Sequence, residues 1–79
     1  MLPSEFSEFA DDLLARLDLE TSGPITAGTR LSDELGFDSL TMAEMLSCLA
    51  DSGVVLPDAL VGELSTIGDV HHYYLALRP

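Results

Sequence analysis

The chain has 79 residues, with 14 acidic side chains against three basic ones and a formal net charge of -11. Apolar residues make up 47% of it, too many for a disordered acidic tail, and no apolar run approaches the roughly 18 residues that a membrane span needs. A charge of this sign excludes the counterion-release binding of nucleic acid, and so small a domain has little interior left for an enzyme pocket. Cys48 is the only cysteine and cannot form an internal disulfide; with two histidines it falls short of a zinc cluster.

The expected unit is a single domain, residues 1–79. Its acidic N-terminal stretch lacks the basic start and apolar core of a signal peptide, so the expected location is the cytosol. The excess of unpaired acids keeps the chain soluble. It also steers the chain toward basic surfaces, and composition alone does not choose between these roles.

In chain order, Phe6, Phe9, Ala10, Leu13, Leu14 and Leu17 form a stripe of period 3.6, which predicts a first amphipathic helix. Ser4 is its candidate N-cap, with Glu5 and Glu8 at the positive end of the dipole. Residues 18–37 show no sustained period. Gly23-Pro24 and Gly28 interrupt them, Leu19, Ile25, Leu31 and Leu35 are candidates to pin them to the core, and 32–35 forms one helical turn ended by Gly36.

A second helix is predicted from about Ser39 to Ser52, capped by Asp38 or Ser39 and ended by Gly53 as a C′ glycine. Met42, Met45, Leu46 and Leu49 face the core, which leaves part of the set Leu40, Ala43 and Ala50 looking outward. Pro57 opens a short third helix with Asp58 in its first turn, weakened by Gly62 and expected to be mobile. The last helix starts at Ser65 or Thr66, where Thr66 and Asp69 have the spacing of a capping box. Ile67, Val70, Tyr74 and Leu77 form its apolar face. No strand alternation is convincing, so the fold class is all-α, with three main helices, a short third one and a long first loop.

Few residues offer catalytic chemistry. His71 and His72 are adjacent and point about 100° apart on a helix, so they share neither a metal nor a proton. Cys48 reads as a small apolar filler. The acids lack calcium-loop spacing, and no glycine pattern cradles a phosphate. What remains is Gly36-Phe37-Asp38-Ser39-Leu40, a serine at a helix start. Asp-Ser is also an ordinary capping pair. Ser39 has no neighbouring base, so another protein must activate it if it reacts. A helix start does suit an attached phosphate.

Leu35-Gly36-Phe37-Asp38-Ser39-Leu40 resembles the attachment motif of acyl carrier proteins. The resemblance extends to Glu44, to Leu56-Pro57-Asp58 and to Ser65-Thr66-Ile67-Gly68-Asp69-Val70, and covers about residues 3–77. A lone Asp-Ser-Leu is unspecific, whereas four blocks in order at these spacings are a strong signal. The resemblance implies the four-helix bundle of an acyl carrier. It also implies that Ser39 receives 4′-phosphopantetheine from coenzyme A through a magnesium-dependent transferase and carries acyl groups as thioesters. The protein is then a carrier and not an enzyme.

The resemblance further implies docking through Asp38, Leu40 and Glu44, with Asp51 and Asp58 as weaker contacts. The partners are the phosphopantetheinyl transferase, acyl- or aminoacyl-loading enzymes, and a ketosynthase or other pathway enzyme with a basic patch. An acyl chain would tuck against Met45, Leu49, Val61 and Leu64, which also read as ordinary core. Thr41, Ala50, Ala59 and Gly62 stand where fatty-acid carriers often have charged residues. This points to polyketide, antibiotic or other secondary-metabolite biosynthesis rather than fatty acid synthesis, and the composition fits a GC-rich bacterial genome. The alternatives are an aminoacyl or peptidyl carrier and an unmodified acidic adaptor. A shuttling role implies a monomer.

Overall fold

In a computed structural model, which describes residues 2–19 and 23–78, four helices run in the order α1 (Phe6–Arg16), α2 (Ser39–Asp51), α3 (Asp58–Val61) and α4 (Ile67–Leu77). The all-α expectation holds. Among the described residues the only strand-like feature is an isolated antiparallel bridge between Arg30 and Thr66.

Helix α1 forms because its apolar stripe has partners on two sides, and it packs on both α4 and α2. Phe9, Ala10, Leu13 and Leu14 are buried along it. The cap is Glu5 rather than Ser4: the Glu5 carboxylate accepts the Glu8 N–H at 3.1 Å. The reason lies in Ser4 itself, whose carbonyl oxygen sits 2.8 Å from His71 Nε2 on α4. His71 is half-buried against the rings of Phe6 and Phe9.

Both long early helices end the same way. In α2 the Gly53 N–H reaches the Ala50 carbonyl and the Val54 N–H reaches that of Leu49, each at 2.9 Å. Gly53 has a φ of 89°, the left-handed conformation that makes glycine the favoured residue there. Helix α1 repeats the pattern with Asp18 at φ 55°, Asp being among the few side chains that tolerate it. Beyond α2, Val54 is buried, Val55 exposed and Leu56 buried, an extended segment leading to Pro57. Pro57 is the residue before α3 and not its first turn, and α3 is a single turn ended at Gly62.

The last helix carries the expected capping box, with Asp69 in the place of the usual glutamate. Ile67, Val70 and Tyr74 are buried, but Leu77 is 42% exposed, because the helix runs past the end of the core there. The Tyr74 hydroxyl donates to the Leu2 carbonyl, and the Leu2 N–H donates to Ser52 Oγ at 3.1 Å. The segment before α1 is thereby tied to both α4 and the end of α2.

The long first loop is held chiefly by main-chain hydrogen bonds to the start of α4. The Leu31 N–H donates to the Ser65 carbonyl, the Ile67 N–H to that of Thr29, and the Gly68 N–H to that of Ala27, all at 2.9 Å. Leu31 is buried, whereas Leu19, Ile25 and Leu35 pack on the core half-buried. Residues 31–35 make a turn without forming helix, where a helical turn over 32–35 was expected, and Gly36 closes it at φ 71°.

At Gly68 a β-carbon would lie 2.5 Å from the Ala27 carbonyl oxygen. Gly68→Ala is therefore expected to destabilise the fold by about 1–3 kcal/mol, the usual range for overpacking against an unyielding neighbour. A chemical-denaturation midpoint equal to that of the wild type would show that the loop yields there.

Candidate functional site

The turn at Gly36 delivers Phe37 into the core, where it is 8% exposed, and its N–H closes onto the Leu31 carbonyl at 2.9 Å. The next residues leave the core at once. Asp38, Ser39 and Leu40 are all exposed, so a buried anchor stands directly beside an exposed helix start. Of the two candidate caps, Asp38 is the one used: its carboxylate accepts the Thr41 N–H at 2.8 Å. Ser39 is the first helical residue, and among the described residues its hydroxyl takes part in no hydrogen bond.

The Asp38 carboxyl titrates below its ordinary value of 3.8. The Thr41 main-chain N–H is the main cause, followed by the Thr41 hydroxyl. Asp69 is also lowered. The Ser65 N–H is the main cause, the Thr66 N–H and hydroxyl and the charge of His72 add to it, and desolvation opposes. Both are carboxylates at neutral pH.

The helix face explains the rest of the arrangement. Met45 and Leu49 are fully buried, with Met42 and Leu46 half-buried beside them. Leu40, Glu44 and Asp51 recur at i, i+4 and i+11 and share the opposite stripe, so burial of the first set forces the second outward. Leu40 is 68% exposed, and Glu44 and Asp51 are exposed as well. Asp38 and Leu40 flank Ser39 at the start of α2, and Glu44 lies near the helix midpoint, about 7.5 Å along the axis from Ser39 at 1.5 Å per residue. Asp51 is its last residue, about 18 Å along the axis from Ser39 at 1.5 Å per residue. Asp58 is exposed on a different element, as the first residue of α3.

A cleft of about 390 Å³ opens beside Ser39. Its apolar lining is Leu31, Phe37, Met42 and Leu64, and its polar lining is Ser32, Asp38, Ser39 and Ser65. This differs from the seam suggested for an acyl chain. Of Met45, Leu49, Val61 and Leu64, only Leu64 lines it; Met45 and Leu49 are sealed inside, and Val61 is half-buried at the end of α3. Sequence reasoning missed Leu31, Ser32 and Ser65. No local signal marks them: Leu-Ser occurs at 31–32, 46–47 and 64–65, and only the pairing of the loop with the start of α4 brings the first and last together.

Other chemistry is sparse. Among the described residues no group of His, Cys, Asp and Glu is placed to hold a metal ion, and no helix is long and apolar enough to cross a membrane. Cys48 is a half-buried free thiol packed against the core.

Residues 10–73 match the family model described as a phosphopantetheine attachment site, and the chain belongs to that family. It is a carrier and not an enzyme, and the group it carries is covalent 4′-phosphopantetheine. Such domains meet a phosphopantetheinyl transferase and the enzymes that use the loaded arm.

The residues at the start of α2 fit such a group. The Ser39 oxygen is accessible, and the helix dipole favours a phosphodiester anion. No acid lies within the first turn of α2, and the Asp38 carboxylate just before it is directed at the Thr41 N–H.

Since Asp38 supplies the cap, Ser39→Ala should retain wild-type helicity and lose well under the roughly 1 kcal/mol typical of a deleted cap. A loss of that size or more in a denaturation experiment would mean that the hydroxyl holds structure. Asp69→Ala should melt below the wild type at pH 7. A lowered carboxyl contributes stability in full above 3.8 and loses it as pH falls through the folded value. The gap in Tm should therefore close as pH drops below 3.8. A gap constant down to pH 2 would show that the carboxylate charge is not what stabilises the cap.

Proposed function

We propose that Ser39 is the residue that carries 4′-phosphopantetheine, and that the protein is an acyl carrier of polyketide or other secondary-metabolite biosynthesis. The observation that carries the first part is the exposed Ser39 hydroxyl, left bare because its neighbour Asp38 performs the capping. When bound, the arm supplies a terminal thiol that holds cargo as a thioester. The chain's own part is to present the serine oxygen to a transferase, keep its helix start rigid through the Asp38 cap and the Phe37 anchor, and offer a face for docking.

That face consists of Asp38, Leu40 and Glu44, with Asp51 farther along the same side and Asp58 on α3. Residues 1–79 act as one carrier unit, a monomer in the cytosol. Its visitors are the transferase, an acyl-loading enzyme, and a ketosynthase or other enzyme with a basic patch. Exposed charges of this kind mainly raise the rate of encounter, which suits a partner that must also be released. Thr41, Ala50, Ala59 and Gly62 stand where fatty-acid carriers often have charged residues, and Ala50, Ala59 and Gly62 are exposed. This supports a specialised pathway over a fatty-acid one. Asp38 before the serine argues against the aminoacyl or peptidyl alternative, and membership of the attachment-site family argues against an unmodified adaptor.

With coenzyme A, magnesium and a broad-specificity transferase, the wild type should gain the mass of one arm and Ser39→Ala none. An arm retained in Ser39→Ala would place the attachment elsewhere. Acyl but not aminoacyl donors should then load the holo form. Glu44→Arg should leave circular dichroism unchanged and slow acyl transfer to a ketosynthase by roughly five- to tenfold at low salt, since it reverses an exposed steering charge. Collapse of helicity in this variant, or an unchanged rate, would remove Glu44 from the docking face.

A further inference from the structure

The loop beside Ser39 carries a cation among acids. Arg30 directly precedes Leu31 and Ser32, which line the same cleft as Ser39, and exposed Asp33, Glu34 and Asp38 follow it. Of the other two arginines, Arg16 ends α1 in an ion pair with Asp12, and Arg78 lies beyond the far end of α4. The Arg30 main chain is firmly placed. It bridges to Thr66, and its carbonyl accepts the Glu34 and Leu35 N–H groups at 3.2 and 3.1 Å. Its side chain is only loosely engaged. The Nε–H donates to Asp33 Oδ2 at 3.0 Å, with the two side chains 56% and 70% exposed. An ion pair this open contributes little to stability. Among the described residues the two terminal amino groups of Arg30 make no hydrogen bond. The guanidinium therefore keeps most of the planar set of donors that takes a carboxylate through two parallel bonds.

We propose that Arg30 receives a carboxylate of the enzyme that takes the acyl group, so that the carrier docks through charges of both signs. The inference rests on the acyl-carrier reading and on Ser39 as its attachment point. Position gives the second charge its use. Met42 lines the cleft, whereas Leu40 and Glu44 are each two residues from it, about 200° around α2. Arg30 on the cleft side and Glu44 on the far side thus flank Ser39. A basic patch facing Glu44 alone draws the carrier in but leaves it free to turn about that contact. A second contact of opposite sign, across the serine, fixes the rotation and with it the direction in which the serine oxygen points. An enzyme with a basic patch but no acid opposite Arg30 would cover a guanidinium without pairing it, or set it against like charge. Either cost selects among partners that an acidic face alone would treat as equal.

The test is acyl transfer from the loaded holo protein to a ketosynthase that accepts it, with loading verified by intact mass and folding by circular dichroism. A face that docks by acidity alone would transfer faster in Arg30→Glu, which is more acidic by two charges. With a carboxylate opposite Arg30, R30E should instead transfer about fivefold more slowly or worse at low salt, and the gap should narrow at high salt. Arg30→Lys, which keeps the charge and loses the planar donors, should fall between R30E and the wild type. Asp33→Asn, which releases the guanidinium, should match or exceed the wild type. Transfer by R30E at the wild-type rate or faster would overturn the proposal. So would a loss in D33N equal to that in R30E, because the pair within the loop would then be what matters. Neither result touches attachment at Ser39, which the mass reports separately. A wild type that gains no arm would instead remove the reading on which the proposal stands.

Discussion

The main-chain pairing of the first loop with the start of α4 is the constraint on which the site depends. A connection this long orders itself only if its polar backbone groups find partners. Here Thr29, Leu31 and Ala27 find them on Ile67, Ser65 and Gly68. Once Leu31 is fixed, its carbonyl accepts the Phe37 N–H, Phe37 enters the core, and the chain must turn out again at Asp38. The exposed start of α2 is therefore set by contacts made at the far end of the sequence, through a glycine that no other residue replaces without a clash.

Local chemistry completes what the pairing begins. Asp38 has the side chain that caps a helix well, so Ser39 need not serve as a cap and keeps its oxygen. Burial of Met45 and Leu49 turns Leu40 and Glu44 outward on the same helix. The self-repulsion that accompanies a net charge of -11 works against stability, and the two depressed carboxyls show how part of it is offset. Asp38 and Asp69 direct their charge at helix N–H groups, a position where a negative charge stabilises the fold.

Periodicity made the helices legible, since Phe9, Leu13, Met45, Leu49, Val70 and Tyr74 all lie where a 3.6-residue stripe puts core residues. Caps were legible where the residue types are distinctive, as at Asp38, Gly53 and Thr66. Ser4 misled because its carbonyl was needed by His71, a contact between residues 67 apart that no local rule anticipates. Leu77 misled because a stripe does not say where the core beneath it ends. The motif around Ser39 could be read directly, but the cleft beside it could not: its walls come from the loop and from the segment before α4, and only their pairing brings Leu31, Ser32, Leu64 and Ser65 together.

The central claim is that one particular hydroxyl among several exposed serines bears the arm. Fragmentation mass spectrometry of the intact holo protein from cells co-expressing a transferase tests it most directly. Fragment ions should place the whole added mass on Ser39, with Ser32, Ser47 and Ser65 unmodified. Added mass on any other serine, or a fully folded chain that emerges with none, would contradict the account.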